Sequence, residues 1–303
     1  MLKYAVKRVL LAILTVLIIA AITFFAMNAI PGGPFDSEKA TDPTTKATLE
    51  KRFNLNEPIG EQFVLYIRNA LRGDFGISLK TGRDITTTIM ESFGISATLG
   101  GSAIALAILF GLGFGCLAAL KRNRIADRLI IFFTTLFVAV PPFILATLLL
   151  LVFCLKLGWF DVWAAGGASY ALPIISLAMY PMSYITRLTK SSMLEVLGQD
   201  YIRTARAKGV NEAKVIAKHA LRNALIPVIT YVGPMTAYTL TGSMVVETVF
   251  TIGGLGAKFV TGINNRDYPM IMATTIFLAV LMVVMTLLSD LLYKVVDPKI
   301  DFS

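Results

Sequence analysis

The chain has 303 residues, 56% of them hydrophobic and 16% charged, with a mean hydropathy of +0.72. Soluble domains carry about 25% charged residues, so this composition excludes an ordinary soluble globule and points to a membrane protein. A net charge of +9 would suggest nucleic acid in a soluble chain; in a membrane chain the position of the charges matters more than their sum.

Six uncharged runs are long enough to cross a bilayer, which takes about 20 residues. In order they are Val9–Phe35, Ser92–Leu120, Leu129–Leu155, Val162–Thr186, Asn223–Val246 and Tyr268–Ser289. The first competes with a cleaved signal peptide behind Lys3, Lys7 and Arg8. Its apolar core is too long for such a leader and no A-x-A site closes it, so it reads as a retained helix. After it comes the largest extramembrane piece, Pro31–Glu91, opened by the helix stop Pro31-Gly32-Gly33-Pro34. Within this piece Ile59, Phe63, Ile67 and Leu71 recur every four residues, which predicts an amphipathic helix over Glu57–Arg72. Arg72-Gly73-Asp74 spells an adhesion tripeptide, but three residues recur by chance.

Orientation follows from the basic residues. With the N-terminus inside, residues 1–8, 121–128, 187–222 and 290–303 are cytoplasmic and hold 17 of the 28 Lys and Arg but 7 of the 19 Asp and Glu. Lys121, Arg122, Arg124 and Arg128 share one tight turn between the second and third runs. Basic residues near helix ends stay inside, so both termini are cytoplasmic. The last outer loop, Glu247–Asp267, contains an uncharged Gly-rich stretch, Thr248–Ala257, suited to dipping back into the protein.

The runs contain no Asp, Glu, Lys, Arg or His. Proton-coupled carriers need paired ionisable groups in the membrane, and membrane enzymes need a nucleophile with its base or a metal cluster. Neither inverted repeats nor such groups are visible, which disfavours a secondary carrier, a channel or an enzyme. Cys116 and Cys154 lie far apart in apolar runs and His219 has no partner at ligand spacing, so no metal site is read. Gly111-Leu112-Gly113-Phe114-Gly115 follows no strand and serves close helix packing. Gly-Lys occurs nowhere, so no P-loop exists in the chain, and ATP-driven transport would place hydrolysis on another polypeptide.

One segment stands apart from this membrane pattern. Ser191–Arg222 is basic and helix-prone, set between two apolar runs. Leu194, Leu197, Tyr201 and Ala205 follow at helical steps on one side, with Arg203, Arg206 and Lys208 on the remaining surface. Gly209 breaks the run and Asn211 is placed to cap a second helix carrying Lys214, Lys218 and Arg222. The segment reads as helix, glycine elbow, helix at the membrane surface; either its charges merely fix the topology of a loop or it docks, and the regular stripe and the elbow argue for docking. Near the outer end of the fifth run, Thr241, Ser243 and Glu247 bring polar groups into apolar surroundings, either as helix–helix hydrogen bonds or as lining of a route.

Tyr201–Gly209, His219–Ala224 and Pro227 together resemble the cytoplasmic EAA-type loop of permease subunits of binding-protein-dependent ABC importers, in the branch that imports peptides and nickel. Where the wider superfamily has Glu-Ala-Ala, Arg203-Thr204-Ala205 stand, as is usual for the peptide branch. Gly73-Asp74-Phe75-Gly76-Ile77-Ser78, Glu247-Thr248-Val249-Phe250, Gly253-Gly254-Leu255-Gly256, Arg266-Asp267-Tyr268-Pro269, Asp290-Leu291-Leu292-Tyr293 and Asp297-Pro298 extend the resemblance over the whole chain. Pro31–Phe35 and the short fourth loop look more like the oligopeptide than the dipeptide permease; dipeptide, nickel and glutathione permeases are the alternatives.

The resemblance implies an all-α integral membrane protein of the type I importer fold with six transmembrane helices. Residues 1–30 would be the first span, 31–94 an extracytoplasmic region with a short amphipathic helix, and 95–303 a five-helix core with a cytoplasmic coupling loop at 190–222. It implies a transport subunit in the bacterial cell membrane that is not itself an enzyme and binds no cofactor. ATP and magnesium would be used by two partner ATP-binding subunits. A second, homologous permease and an extracytoplasmic binding protein delivering oligopeptides complete the implied assembly. Coupling to the ATPase falls to Gln199, Asp200, Tyr201, Arg203, Thr204, Ala205, Arg206, Ala207, Lys208 and Gly209. Thr241, Ser243 and Glu247 are candidates for the peptide route.

Overall fold

A computed structural model describes residues 2–30, 56–161, 169–240 and 244–296, and their regular elements are all helical. The only strand-like feature among them is an isolated bridge between Ile77 and Asp84. The chain divides into two compact units, one of residues 1–95 with 253–283 and the other of 96–252 with 284–303. Within the first unit, buried contacts tie the chain near Asp267 back to the loop near Ser78.

In the first unit, helix α1 (Leu2–Ala29) turns Ala20, Phe24 and Met27 inward against Phe63 and Ile67 of α2 (Ile59–Ala70). Helix α2 is the amphipathic helix expected over Glu57–Arg72. It starts after Pro58, whose own backbone is extended (φ −52°, ψ 137°) while its carbonyl accepts from the Gln62 amide at 3.1 Å, and whose missing N–H costs nothing at a helix start. Helix α3 (Ile85–Leu120) begins seven residues before the expected Ser92. Two causes are visible: Asp84 accepts from the Thr87 amide at 2.7 Å as an N-cap, and Glu91 escapes burial by facing Arg83 at 3.2 Å. The Thr87 bond also holds the Asp84 carboxyl below its usual range. Ile85 and Ile89 then bury against Leu255 of α12 (Leu255–Asn265) and Met270 and Ala273 of α13 (Tyr268–Val296).

In the second unit, the expected run Leu129–Leu155 is not straight. Helix α4 (Ile125–Ala139) and α5 (Pro142–Leu149), the latter continued by π-helical Leu150–Lys156, meet at 103°. The break lies at Val140 (ψ 122°) and Pro141, where the first ring excludes helical backbone before it. Helix α6 (Ala171–Leu197) packs on α3 and α10 (Ile226–Leu240) around Ala103, Ala107, Ala178, Ile185, Val228 and Met235. Small residues let the backbones close up. A Cβ at Gly111 would fall 2.7 Å from Ile185 Cγ2, and one at Gly115 would fall 2.5 Å from Thr189 Cβ. The glycine-rich stretch is thus a packing surface, as its place in an apolar run predicts.

Lys7–Ala29, Ile85–Leu120 and Tyr268–Ser289 are long and apolar enough to cross a membrane, and the bent α4–α5 pair makes a fourth if it is one span. The expected fourth run loses residues 162–168 to the undescribed part, and α6 continues it with a polar content that lowers its hydropathy. The expected fifth run is shared between α10 and α11 (Met244–Val249), with residues 241–243 outside the described chain.

Candidate functional site

The basic segment is shaped by three breaks. Helix α6 ends at Leu197, where Gly198 caps it and Gln199 is extended (φ −76°, ψ 151°). A separate helix α7 (Asp200–Ala207) follows, so the expected single stripe is divided, Leu194 and Leu197 belonging to α6, Tyr201 and Ala205 to α7. Gly209 then takes φ +74°, the left-handed conformation that the elbow predicts. A Cβ there would meet nothing within 4 Å, so the demand for glycine comes from the backbone alone. Asn211 Oδ1 accepts from the Ala213 amide at 2.9 Å and starts α8 (Glu212–Lys214), continued by π-helical Val215–Ala220 and α9 (Leu221–Ala224).

Burial decides which face of α7 is free. Ile202 is 0% exposed and Ala205 is buried with it, packed with Ala119, Met193, Val215, Ala220 and Ala224. Ala205, which its spacing places on the expected docking stripe, turns its methyl to this chain's own core, because the break at Gly198–Gln199 turns α7 onto α6. Ile202 was missed, although its place three residues before Ala205 marks an inward face. Gln199, Asp200, Tyr201, Arg203, Thr204, Arg206, Ala207, Lys208 and Gly209 are exposed together.

Polar contacts fix this surface at its edges. The Tyr201 hydroxyl accepts from Asn223 Nδ2 at 2.8 Å, which ties α7 to α9. Arg206 donates to both oxygens of Glu212, at 3.1 and 2.6 Å, across the elbow. That contact holds the Glu212 carboxyl below its usual range and raises the Arg206 guanidinium. Arg203 faces Asp200 at 3.3 Å, with both side chains in solvent. Nearby, buried Asp127 takes a hydrogen bond from Lys190 of α6 and another at 2.9 Å from the Asn123 amide. Lys190 is the main cause that holds the Asp127 carboxyl below its usual range. This pair fixes the basic turn 121–128 to α6.

The other candidate group is divided. Thr241 and Ser243 lie outside the described residues. Glu247, on α11, is 2% exposed and accepts from Ser96 Oγ at 2.7 Å, so it joins α11 to α3 instead of lining an open surface. In the first unit, two motifs read separately in the sequence meet: Ser78 Oγ donates to buried Asp267, and the Leu79 amide donates to the same carboxylate at 3.2 Å. Beside them lies a cavity of about 360 Å³, lined among others by Phe24, Leu65, Phe75 and Met272. The Tyr66 hydroxyl is buried at its wall without a partner among the described residues, and this burial raises its pKa.

Comparison with known proteins agrees with this architecture. Residues 111–302 match the family described as binding-protein-dependent transport system inner membrane component, and residues 1–100 match the N-terminal family of the same systems. The dipeptide transport system permease protein of Bacillus subtilis is 44% identical, covering 99% of this chain and 98% of the relative. The oligopeptide transport system permease protein of Haemophilus influenzae is 42% identical over the full length of both chains, and that of Salmonella typhimurium 40%. A chain of the inward-facing MetNI methionine ABC transporter superposes with a TM-score of 0.56 at 17% identity, over 69% of this chain and 95% of that one, a likeness of fold.

Proposed function

The chain belongs to the family of inner membrane components of binding-protein-dependent transport systems, and on that premise we propose that it is the permease subunit of an ATP-driven peptide importer, with oligopeptides as its cargo. It resides in the bacterial cell membrane, and its own groups hold and move peptide while the chemistry belongs to partners. Two ATP-binding subunits hydrolyse ATP with magnesium beneath it. A second, homologous permease faces it, and an extracytoplasmic binding protein delivers the peptide. The chain crosses six times with both termini inside, residues 1–30 forming the first span, 31–94 the outer region and 95–303 the core. This reading rests on the charge distribution and on the apolar runs.

The observation that carries the coupling role is the construction of α7. A helix of eight residues is anchored on one face by Ile202 and Ala205 and offers Gln199, Asp200, Tyr201, Arg203, Thr204, Arg206, Ala207, Lys208 and Gly209 on the other. An isolated helix of that length is unstable, so its docked position is a property of the permease core. A partner that engages it differently in two nucleotide states can therefore move the core. The test is reconstitution of this chain with a second permease, the ATPases and the binding protein in liposomes. ATP-dependent uptake should occur for a series running from dipeptide to pentapeptide. Uptake of the dipeptide alone would assign the chain to the dipeptide branch that one relative represents; no uptake of any peptide would refute the reading.

A further inference from the structure

Helix α6 is covered by protein along most of its length. Its exposed residues are five, Tyr180, Tyr184, Arg187, Ser191 and Glu195, spaced by four, three, four and four, and so they form one stripe. Every one of them is polar. The helices of this chain that face lipid look different: α1 exposes Leu10, Leu14 and Ile22, and α4 exposes Leu129, Phe132 and Leu136. Within the expected membrane run, which ends at Thr186, the open face is Tyr180 and Tyr184, and Arg187, Ser191 and Glu195 carry it on into the cytoplasmic segment. An open face whose membrane part is two hydroxyl-bearing rings and no aliphatic side chain is poorly suited to acyl chains, which offer no hydrogen bonds.

The stripe has a neighbour. Tyr184 stacks on Tyr231 of α10, with ring centroids 4.2 Å apart and planes at 26°. Helix α10 exposes Thr230, Pro234 and Tyr238 beside that stack. Tyr180 and Tyr184 are 41% and 42% exposed, Tyr238 is 75% exposed, and the hydroxyls of Tyr180, Tyr184 and Tyr231 bond to no described residue. Arg187 has no ion pair among the described residues and is the first residue of the stripe past the expected membrane run.

Resting on the reading given under Proposed function, we infer that this tyrosine face of α6 and α10 is the surface along which the peptide moves through the chain's half of the route. A peptide in transit presents backbone N–H and C=O groups whatever its side chains, and one terminal carboxylate. Tyrosine hydroxyls donate and accept, so they exchange bonds with any peptide backbone without selecting a side chain. Their rings keep the wall stiff, and the lack of charge between Tyr180 and Tyr184 avoids trapping either terminus. Arg187 then offers a cation to the arriving carboxylate at the inner mouth. The stripe continues through Ser191 and Glu195 towards Gln199, where the coupling surface begins.

Accessibility to a water-borne thiol reagent tests this in the complete reconstituted transporter. In a background carrying Cys116→Ser and Cys154→Ser, Tyr180→Cys is compared with Leu136→Cys. The two sites are seven and eight residues from Arg187 and Arg128, which is roughly 10–12 Å along each helix. Thiolates form only in water, so Tyr180→Cys should react at least roughly tenfold faster than Leu136→Cys, and transported peptide should slow its reaction. Equal, slow labelling at both sites would show a lipid-covered face and overturn the inference. Fast labelling that ignores peptide, in a background transporter that does import peptides, would show a crevice the cargo does not use and overturn it alone. Crosslinking of Tyr180→Cys to a second permease at peptide-independent yield would show a permanent interface and also overturn it. A background transporter that imports no peptide would remove the underlying reading as well.

Discussion

Replacing Ile202 by alanine separates the construction of the proposed coupling surface from its contacts. Ile202 is fully buried between Met193, Val215 and Ala220, so the change removes packed atoms without touching the exposed face. Truncating such an isoleucine costs about 2–5 kcal/mol. The Tyr201–Asn223 bond contributes only about 0.5–1.5 kcal/mol, and the exposed Arg206–Glu212 pair cannot substitute for apolar burial. The opening equilibrium of α7 should therefore rise by about 30-fold or more, since each 1.4 kcal/mol is tenfold. Hydrogen exchange read by mass spectrometry over residues 199–209 in nanodiscs measures that rise directly, and peptide uptake is followed in parallel. Arg203→Ala, on the open face, should leave amide protection unchanged. Unchanged protection in Ile202→Ala would refute the burial argument. Lost protection with full ATP-coupled uptake would refute the assignment of α7 as the coupling element.

Gly209→Val places a β-branched residue at φ +74° and should abolish uptake with the chain still in the membrane, whereas Lys208→Ala should keep most of it; normal transport by the valine variant would contradict the elbow's role. Asp127→Asn removes the partner of Lys190 and should lower stability by about 2 kcal/mol in thermal unfolding. Because the folded Asp127 carboxyl lies below its usual range, its stabilisation is present above the ordinary value of about 3.9 and is lost as pH falls through the lowered one. The gap between parent and variant should thus stay constant from about pH 5 to 8 and narrow only in stronger acid; narrowing near neutral pH would refute the pairing. Tyr66→Phe deletes a buried hydroxyl without a partner among the described residues and should raise the Tm measured in detergent, a clear fall being the contrary result.

How much of this was legible in the sequence varies with the kind of signal. The elbow was, because Gly209 and Asn211 act through their own backbone and side chain, and local chemistry survives without tertiary information. The amphipathic α2 was legible for the same reason, its period being complete within twelve residues. The break at Gly198–Gln199 was not, because Leu194, Leu197, Tyr201 and Ala205 keep helical spacing across it and periodicity is blind to an extended residue between two helices. That blindness also misdirected Ala205. The inward Ile202 depends on Val215 and Ala220, which lie across the elbow, so no window around residue 202 contains its partners. For Glu247 the sequence leaves helix–helix bonding and route lining open, and only the fold brings in its partner Ser96, 151 positions earlier. The tyrosine stripe has the opposite history: its spacing is printed in the chain, yet only burial of the rest of α6 shows that it is the side left open.

The packing around α7 suggests why small residues and charges are distributed as they are between α3 and α6. Gly111 and Gly115 bring α3 against α6 so closely that a single methyl would collide with Ile185 or Thr189. One turn further on, Ala119 of α3 and Met193 of α6 form the floor on which Ile202 and Ala205 rest. The two helices therefore meet α7 as a pair whose separation is set by backbone contact and not by flexible side chains. Close-packed contacts transmit displacement because they have no slack to absorb it. Next to Thr189, Lys190 joins the same helix to Asp127 and the basic turn. A push on the exposed face of α7 thus reaches α6 through apolar contact first, and α6 is the helix whose open stripe carries Tyr180 and Tyr184. Exposed ion pairs such as Arg203–Asp200 are too weak and too solvated to carry that load. On the proposed coupling role they would orient a partner, while glycine, alanine and one buried isoleucine would determine whether its movement is felt.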